Sequence, residues 1–390
     1  MRIVLTGGGT GGHLLPFEPI IASLRMQFLE QQATLPSRLD PGQLEIVFLG
    51  PVDAATRSFF SQYDVRAIRI PSGKLRRYAS GLTIFDLLWR LPLGVARALV
   101  LMYFFMPDAV ISLGGYGSVP GMLAAVFYRI PIVLHEMNAV MGLANRRMVR
   151  RAAVVTLGFG TPAQVLGKYA YKGVVTGDPV REDIHRLTKP EAKREFHIEE
   201  GEHVLLVTGG SQGAKQLNEV LLQILPRIIL DTTIIHLTGK DHFTAVSTVA
   251  QELLGQSSRK DAYLPFPYLT TTMAHALVAA DSIVTRAGAS TLSEIAALKT
   301  PALLIPLDSA AHDHQRANAQ VFESAGAALV LDPANLTQNL FENNVRRLVL
   351  DEEAREHMVS NLAAIDYPSA ARQIVQIVLQ VASGFAPTKP

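Results

Sequence analysis

A chain of 390 residues is long enough for two domains, each with its own core. Its 48% hydrophobic and 18% charged residues exclude a disordered segment, and a net charge of +2 gives no general affinity for nucleic acid. The absence of cysteine excludes disulfides, thiolate zinc sites and a cysteine nucleophile.

The N-terminus enters a strand, Arg2–Thr6, without a signal-peptide pattern. Gly7-Gly-Gly-Thr-Gly-Gly-His13 follows, then a helix through Ile20, Ile21 and Leu24. Residues 30–43 are polar with two prolines and read as a surface loop. Glu45–Leu49 and Val65–Ile70 read as strands, and residues 83–106 as one or two helices broken near Pro92. Leu82–Met106 is greasy but interrupted by Asp86, Arg90, Pro92 and Arg97, so no transmembrane helix is expected. Ala109–Leu113 runs into Gly114-Gly-Tyr-Gly-Ser118 and a helix through Met122 and Ala125. Pro131–Leu134 ends in His135-Glu-Met-Asn138, and short strands at Ala153–Leu157 and Gly173–Val175 lead to Gly177-Asp-Pro-Val-Arg181.

The composition then turns charged over Glu182–Glu202, which reads as a hinge and connecting helix. The pattern restarts with Val204–Thr208, Gly209-Gly-Ser-Gln-Gly213 and a helix through Leu217, Leu221 and Leu225. Strands at Thr233–Leu237, Ala262–Leu264, Ser282–Val284 and Ala302–Ile305 alternate with helices, and 369–382 forms a last amphipathic helix. Alternation in both halves predicts an α/β protein: two Rossmann-like domains with parallel sheets facing across a cleft.

Polar residues gather where strands end. Beyond Ser282–Val284 lie the turn Ala287-Gly-Ala289 and a helix through Leu292, Ile295 and Ala296; beyond Ala302–Ile305 lie Asp308, His312, Asp313, His314, Gln315 and Asn318. Ligands of open parallel sheets bind at such carboxyl ends, and helix N-terminal amides suit a diphosphate. A competing reading makes Thr291-Leu-Ser-Glu294 a capping box, with Glu294 returning to its own helix start.

The three glycine turns let backbone amides approach phosphate closely. Gly8-Gly-Thr-Gly-Gly-His13, counted from Gly8, does not have G-x-G-x-x-G spacing, and no clear acidic ribose partner follows, which disfavours hydride transfer. His13 can take a proton from a hydroxyl, or cap its helix and bind phosphate. Ser211 and Gln212 can donate to phosphate oxygens or satisfy their own loop. His312-Asp-His314 lacks convincing ligand spacing, so neither a metal nor a cofactor is expected. Lys74-Leu-Arg-Arg77 precedes Ile84, Phe85, Leu88 and Trp89, a stripe that either docks on an anionic membrane surface or faces the core.

In colinear order, Gly8-Gly-Thr-Gly-Gly-His13, Gly114-Gly-Tyr116 with Ser118 and Pro120, His135-Glu136 with Asn138, Gly177 with Pro179-Val-Arg181, Gly209-Gly-Ser-Gln-Gly-Ala214, Ser293-Glu-Ile-Ala-Ala297 and His314-Gln315 with Asn318-Ala319 resemble the MurG family. The resemblance implies a GT-B glycosyltransferase of peptidoglycan synthesis. It moves N-acetylglucosamine, with inversion, from UDP-N-acetylglucosamine to the 4-hydroxyl of an undecaprenyl-pyrophosphoryl-N-acetylmuramyl-pentapeptide. Residues 1–181 with 368–390 would form the acceptor and membrane-side domain, and 182–367 the donor domain. The enzyme would be peripheral, on the cytoplasmic face of the bacterial inner membrane. Another membrane-lipid glycosyltransferase, acting for instance on diacylglycerol, is the alternative.

By the same resemblance, Ser211 and Gln212 contact the donor diphosphate. Ala289, Ser290, Thr291, Leu292, Ser293 and Glu294 line the uridine site, with Glu294 on the ribose hydroxyls. Gln315 and Asn318 hold the sugar, while Thr10, Gly11, Gly12, His13, Asn138 and Arg181 complete the site. Gly114, Gly115, Tyr116 and Ser118 receive the acceptor diphosphate. His13 is the expected general base and Glu136 its fallback. The chain departs from the family pattern at Leu269-Thr270, where an aromatic-isoleucine pair near the uracil is usual, and the Thr270 contact rests on that position. It departs also at Asp178 for Asn, at Ala287 for Ser, and in the length of 30–43.

Overall fold

A computed structural model describes residues 1–8, 14–31, 43–73, 86–210, 213–307 and 313–384. Most of the expected 30–43 loop lies outside the described residues, as do Lys74-Leu-Arg-Arg77, Ile84 and Phe85. The chain divides into two compact units, Met1–Val180 with Tyr367–Pro390, and Arg181–Asp366.

The first unit is built on strands β1 (Arg2–Thr6), β2 (Glu45–Gly50), β3 (Arg66–Arg69), β4 (Ala109–Ser112), β5 (Ile132–Glu136), β6 (Val154–Leu157) and β7 (Gly173–Val175). They pair in parallel in the order β3-β2-β1-β4-β5-β6-β7. Side chains of a strand alternate between faces, so Ile3 and Leu5 enter one core layer and Val4 the other. The first layer holds Phe17, Phe48 and Phe60 together with Ile374 and Val378 of the C-terminal helix Ala370–Ala382. That helix packs on Phe17–Gln31, and Gln27 Nε2 donates to the Arg372 carbonyl at 2.9 Å.

Two expectations are corrected in this unit. The helical region does not break at Pro92: a π-helical turn, Asp86–Arg90, runs directly into the helix Leu91–Phe105. Pro92 stands in the first turn of that helix, where proline's fixed φ suits the backbone. Strand β5 also runs on through His135 and Glu136, which are therefore buried strand residues rather than loop residues. Leu88–Phe105 is long and apolar enough to cross a membrane, and only 17% of it is buried. Its buried residues Gly94, Ala98 and Met102 mark the face turned to the helix Val119–Phe127. Trp89, Leu93, Val100, Tyr103 and Phe104 stay exposed.

The second unit carries β8 (Val204–Thr208), β9 (Thr233–Leu237), β10 (Tyr263–Phe266), β11 (Ser282–Thr285), β12 (Ala302–Leu304) and β13 (Leu329–Val330). These are parallel in the order β10-β9-β8-β11-β12-β13. The runs VLLVT and TIIHL are buried along their whole length, as strands covered by helices on both faces must be. Strand order reverses at β1/β4 in the first sheet and at β8/β11 in the second. The crevices beyond those strand pairs are where open α/β sheets take ligands.

Candidate functional site

At the first reversal point two glycine turns interlock. Gly8 has φ +98° and Gly115 φ +79°, and a Cβ on Gly115 would lie 2.6 Å from the Gly8 carbonyl oxygen. The Gly117 amide donates to that carbonyl at 3.3 Å. Ser118 is buried, and its hydroxyl donates to the Gly115 carbonyl at 2.8 Å, bracing the turn from inside; Tyr116 is half-buried. Thr10, Gly11, Gly12 and His13 lie outside the described residues.

Behind these turns sits Glu136 at the end of β5. Its Oε1 accepts from the Asn138 amide at 3.1 Å and Asn138 Nδ2 at 3.3 Å. Its Oε2 accepts from the Gly142 amide at 3.0 Å and Asn145 Nδ2 at 2.8 Å. Burial pushes the carboxyl above its ordinary value, and these hydrogen bonds pull it back. Four donors on two oxygens make Glu136 a clamp on the loop after β5, with little capacity left to accept a substrate proton. Asn145 extends the clamp, since Gly114 approaches it so closely that a Cβ there would lie 2.6 Å from Asn145 Oδ1. One residue earlier, buried His135 meets Thr156 Oγ1 through Nδ1 at 2.9 Å and Asp178 Oδ1 through Nε2 at 2.8 Å. Asp178 is thus the partner of this histidine.

The second reversal point lies wholly within the other unit. The turn after β8 is closed by the Gly213 amide on the Gly210 carbonyl at 3.0 Å and by the Gly210 amide on Thr208 Oγ1 at 3.2 Å. Ser211 and Gln212, between them, lie outside the described residues. Across the strand pair, the helix Ala289–Leu298 starts two residues before Thr291, with Gly288 at its N-cap and no side-chain cap. This overturns the capping-box reading. Glu294 is in the second helical turn and turns instead to Arg181, whose Nε donates to Oε1 at 2.8 Å. Both side chains are largely buried, at 11% and 7% exposure. Burial raises the Glu294 pKa, the Arg181 charge lowers it, and Asp183 raises it again.

Around this pair, Ala289 and Leu292 are buried, Ser290 and Thr291 half-buried, and the Ser293 hydroxyl donates to the Ala289 carbonyl at 3.2 Å. Asn318 is fully buried and donates through Nδ2 to the Ala287 carbonyl at 3.2 Å, bracing the turn after β11. Gln315 Oε1 accepts from the Leu307 amide at 2.9 Å. Leu269 is buried and Thr270 exposed. Asp308 and His312 lie outside the described residues. The supporting residues Asn145, Asn218 and His236 escaped the sequence reading. Their one visible signal was a polar residue inside an apolar run, as in TIIHL, and that signal does not say which group it serves.

Residues 3–157 match the glycosyltransferase family 28 N-terminal domain, and residues 204–374 match the glycosyltransferase family 28 C-terminal domain. The UDP-N-acetylglucosamine--N-acetylmuramyl-(pentapeptide) pyrophosphoryl-undecaprenol N-acetylglucosamine transferase of Halothermothrix orenii is 32% identical, over 98% of this chain and 100% of that protein. Its namesake from Desulfotalea psychrophila is 33% identical, over 97% and 96%. The crystal structure of Acinetobacter baumannii MurG shares the fold with a TM-score of 0.72 at 24% identity, over 97% of this chain and 98% of that one. The chain belongs to glycosyltransferase family 28 and, within it, to the UDP-N-acetylglucosamine--N-acetylmuramyl-(pentapeptide) pyrophosphoryl-undecaprenol N-acetylglucosamine transferases.

Proposed function

We propose that this enzyme transfers N-acetylglucosamine from UDP-N-acetylglucosamine to the 4-hydroxyl of the N-acetylmuramyl-pentapeptide carried on a polyprenyl pyrophosphate, with inversion at the anomeric carbon. The observation that carries this reading is full-length identity of about a third to transferases of that name. Glycine turns standing at both sheet-reversal points support it.

The donor belongs to the unit Arg181–Asp366. The Gly209–Gly213 turn, with Ser211 and Gln212, takes the diphosphate, and the N-terminus of Ala289–Leu298 adds backbone donors and a positive helix end. As UDP leaves, charge builds on the β-phosphate, and fixed amides stabilise it without reorganising. Glu294, whose charge Arg181 favours against the burial that raises its pKa, accepts the ribose hydroxyls. Gln315 and Asn318 hold the sugar. The acceptor pyrophosphate belongs to the first unit, on the turns around Gly8 and Gly114–Ser118. His13 acts as general base there, and Glu136 positions Asn138 and Asn145 rather than serving as the base.

The exposed apolar face of Leu91–Phe105, with Trp89 beside it and Arg97 on the surface, docks this unit peripherally on the anionic cytoplasmic leaflet that holds the acceptor. The test is acceptor-dependent UDP release with a panel of UDP-sugars and two acceptors. Release only with UDP-N-acetylglucosamine and the muramyl lipid is expected. Equal release with diacylglycerol, or none with any acceptor, overturns the proposal.

A further inference from the structure

We infer that Tyr263, His236 and Asn218 form a buried positioning relay that sets Gly213, at the end of the turn after β8, and thereby the enzyme's affinity for its nucleotide donor. The inference rests on the reading that this turn holds the donor diphosphate.

All three side chains are buried: Tyr263 opens β10, His236 lies near the end of β9 and Asn218 in the first turn of the helix Lys215–Ile228. Tyr263 OH lies 2.7 Å from His236 Nδ1, and His236 Nε2 lies 3.1 Å from Asn218 Oδ1. Asn218 Nδ2 donates to the Thr238 carbonyl at 2.9 Å. That last bond fixes the polarity of the line. The Asn218 amide faces Thr238 with its donor, so its oxygen faces the histidine; Nε2 then carries the ring hydrogen, and Nδ1 accepts from the tyrosine hydroxyl. Every donor meets one acceptor, as a buried polar line requires if it is not to cost the core stability. Burial pushes His236 down to about 3, which keeps the ring neutral as this polarity demands, and it pushes the Tyr263 hydroxyl well above its usual range.

The line ends against the phosphate turn. Gly213 has φ +74°, and a Cβ there would lie 2.4 Å from the Thr238 carbonyl oxygen, the same atom that Asn218 holds. The orientation of the Thr238 peptide therefore decides where Gly213 sits, and the Gly213 amide in turn closes the turn on Gly210. None of the three side chains is at the surface, so they act through the turn and not on a ligand. An apolar trio would fill the same space in the core, but it would leave the Thr238 carbonyl without its side-chain donor.

The full-length enzyme carrying Asn218→Leu tests this. A leucine side chain cannot donate to the Thr238 carbonyl, and UDP binding by calorimetry is expected to weaken by about tenfold, the order expected from losing one buried hydrogen bond. The KM for UDP-N-acetylglucosamine should rise in parallel while the acceptor KM stays within about twofold. Tyr263→Phe removes only the far link, and a shift of about threefold in the same direction is expected. Val345→Ala, in the same unit's core, is the control: it lowers Tm and leaves UDP affinity in place. Unchanged UDP affinity in a folded Tyr263→Phe protein overturns the relay, and so does an equal loss of affinity in Val345→Ala at matched Tm. Failure of the unmutated enzyme to bind UDP overturns the donor reading itself, and is told apart because it precedes any variant.

Discussion

Glu294 shows how one ionisable group is set for its task by two opposing fields. Burial works against its charge, and the Arg181 guanidinium at 2.8 Å works for it. A carboxylate accepts two ribose hydroxyls, whereas a protonated one must spend an oxygen as donor. UDP affinity should therefore fall as pH drops from 7 through the raised range of Glu294, and Glu294→Gln should abolish most of that dependence. The same substitution should weaken UDP binding at pH 7 by about 10- to 100-fold, the range for losing a hydrogen bond to a charged group. Calorimetric titrations of both proteins across pH 5 to 8 measure the two effects, and parallel pH curves would sink the assignment. The linkage sign differs from that of a paired surface carboxylate. A folded pKa raised above the unfolded value makes Glu294 a cost to stability at neutral pH, relieved as pH falls, so acid should loosen the nucleotide before it loosens this part of the fold. Glu294 was legible in the sequence from its place in a short helix motif. Its partner Arg181 was legible only as a motif residue, because a contact spanning 113 residues leaves no local pattern.

At the scale of elements, legibility followed length and context. Strands such as β8 and β9 stood out because parallel strands buried on both faces read as continuous apolar runs. Strand β13, two residues in Leu329–Val330, falls below anything periodicity can detect. The end of β5 was misplaced because His135 and Glu136 look like loop residues, although each finds its partners inside the unit. Pro92 misled in the opposite way, since proline breaks helix interiors but is favoured in a first turn.

The helix Leu91–Phe105 and its preceding turn offer a direct test of the membrane reading. Trp89 is the only tryptophan in the chain and is 67% exposed, and Phe104 is 77% exposed. On vesicles rich in anionic lipid, Trp89 emission should shift to the blue; on neutral vesicles the shift should be smaller, and salt should reduce it. Phe104→Glu should weaken vesicle binding by about tenfold, roughly the effect of removing one well-buried aromatic side chain from the interface. Unchanged emission on every vesicle would reject this face as the docking surface.

At the scale of the whole molecule, chain order and spatial grouping part company at the C-terminus. The helix Ala370–Ala382 follows the second unit in sequence, yet Ile374 and Val378 belong to the core layer of Ile3, Phe17 and Phe48. The unit Arg181–Asp366 has a separate core around Leu217, Leu221, Val284, Leu303 and Phe341. Two cores joined by two chain crossings can open independently, so a ligand held by one unit stabilises that unit first. UDP at about 100 times its Kd should add roughly 2.7 kcal/mol to the unit that binds it. Hydrogen exchange should therefore slow by about 100-fold in β8, β9 and β11, where exchange requires opening of that whole unit. Amides of β1, β4 and the helix Ala370–Ala382 should exchange as before. Because that helix lies beyond residue 366 in sequence but groups with the first unit, its exchange separates an effect confined to one core from one that spreads along the chain: protection reaching Ile374 and Val378 at the level seen in β8 would mean that the two cores unfold as one, and would place the donor's stabilising effect in the entire molecule.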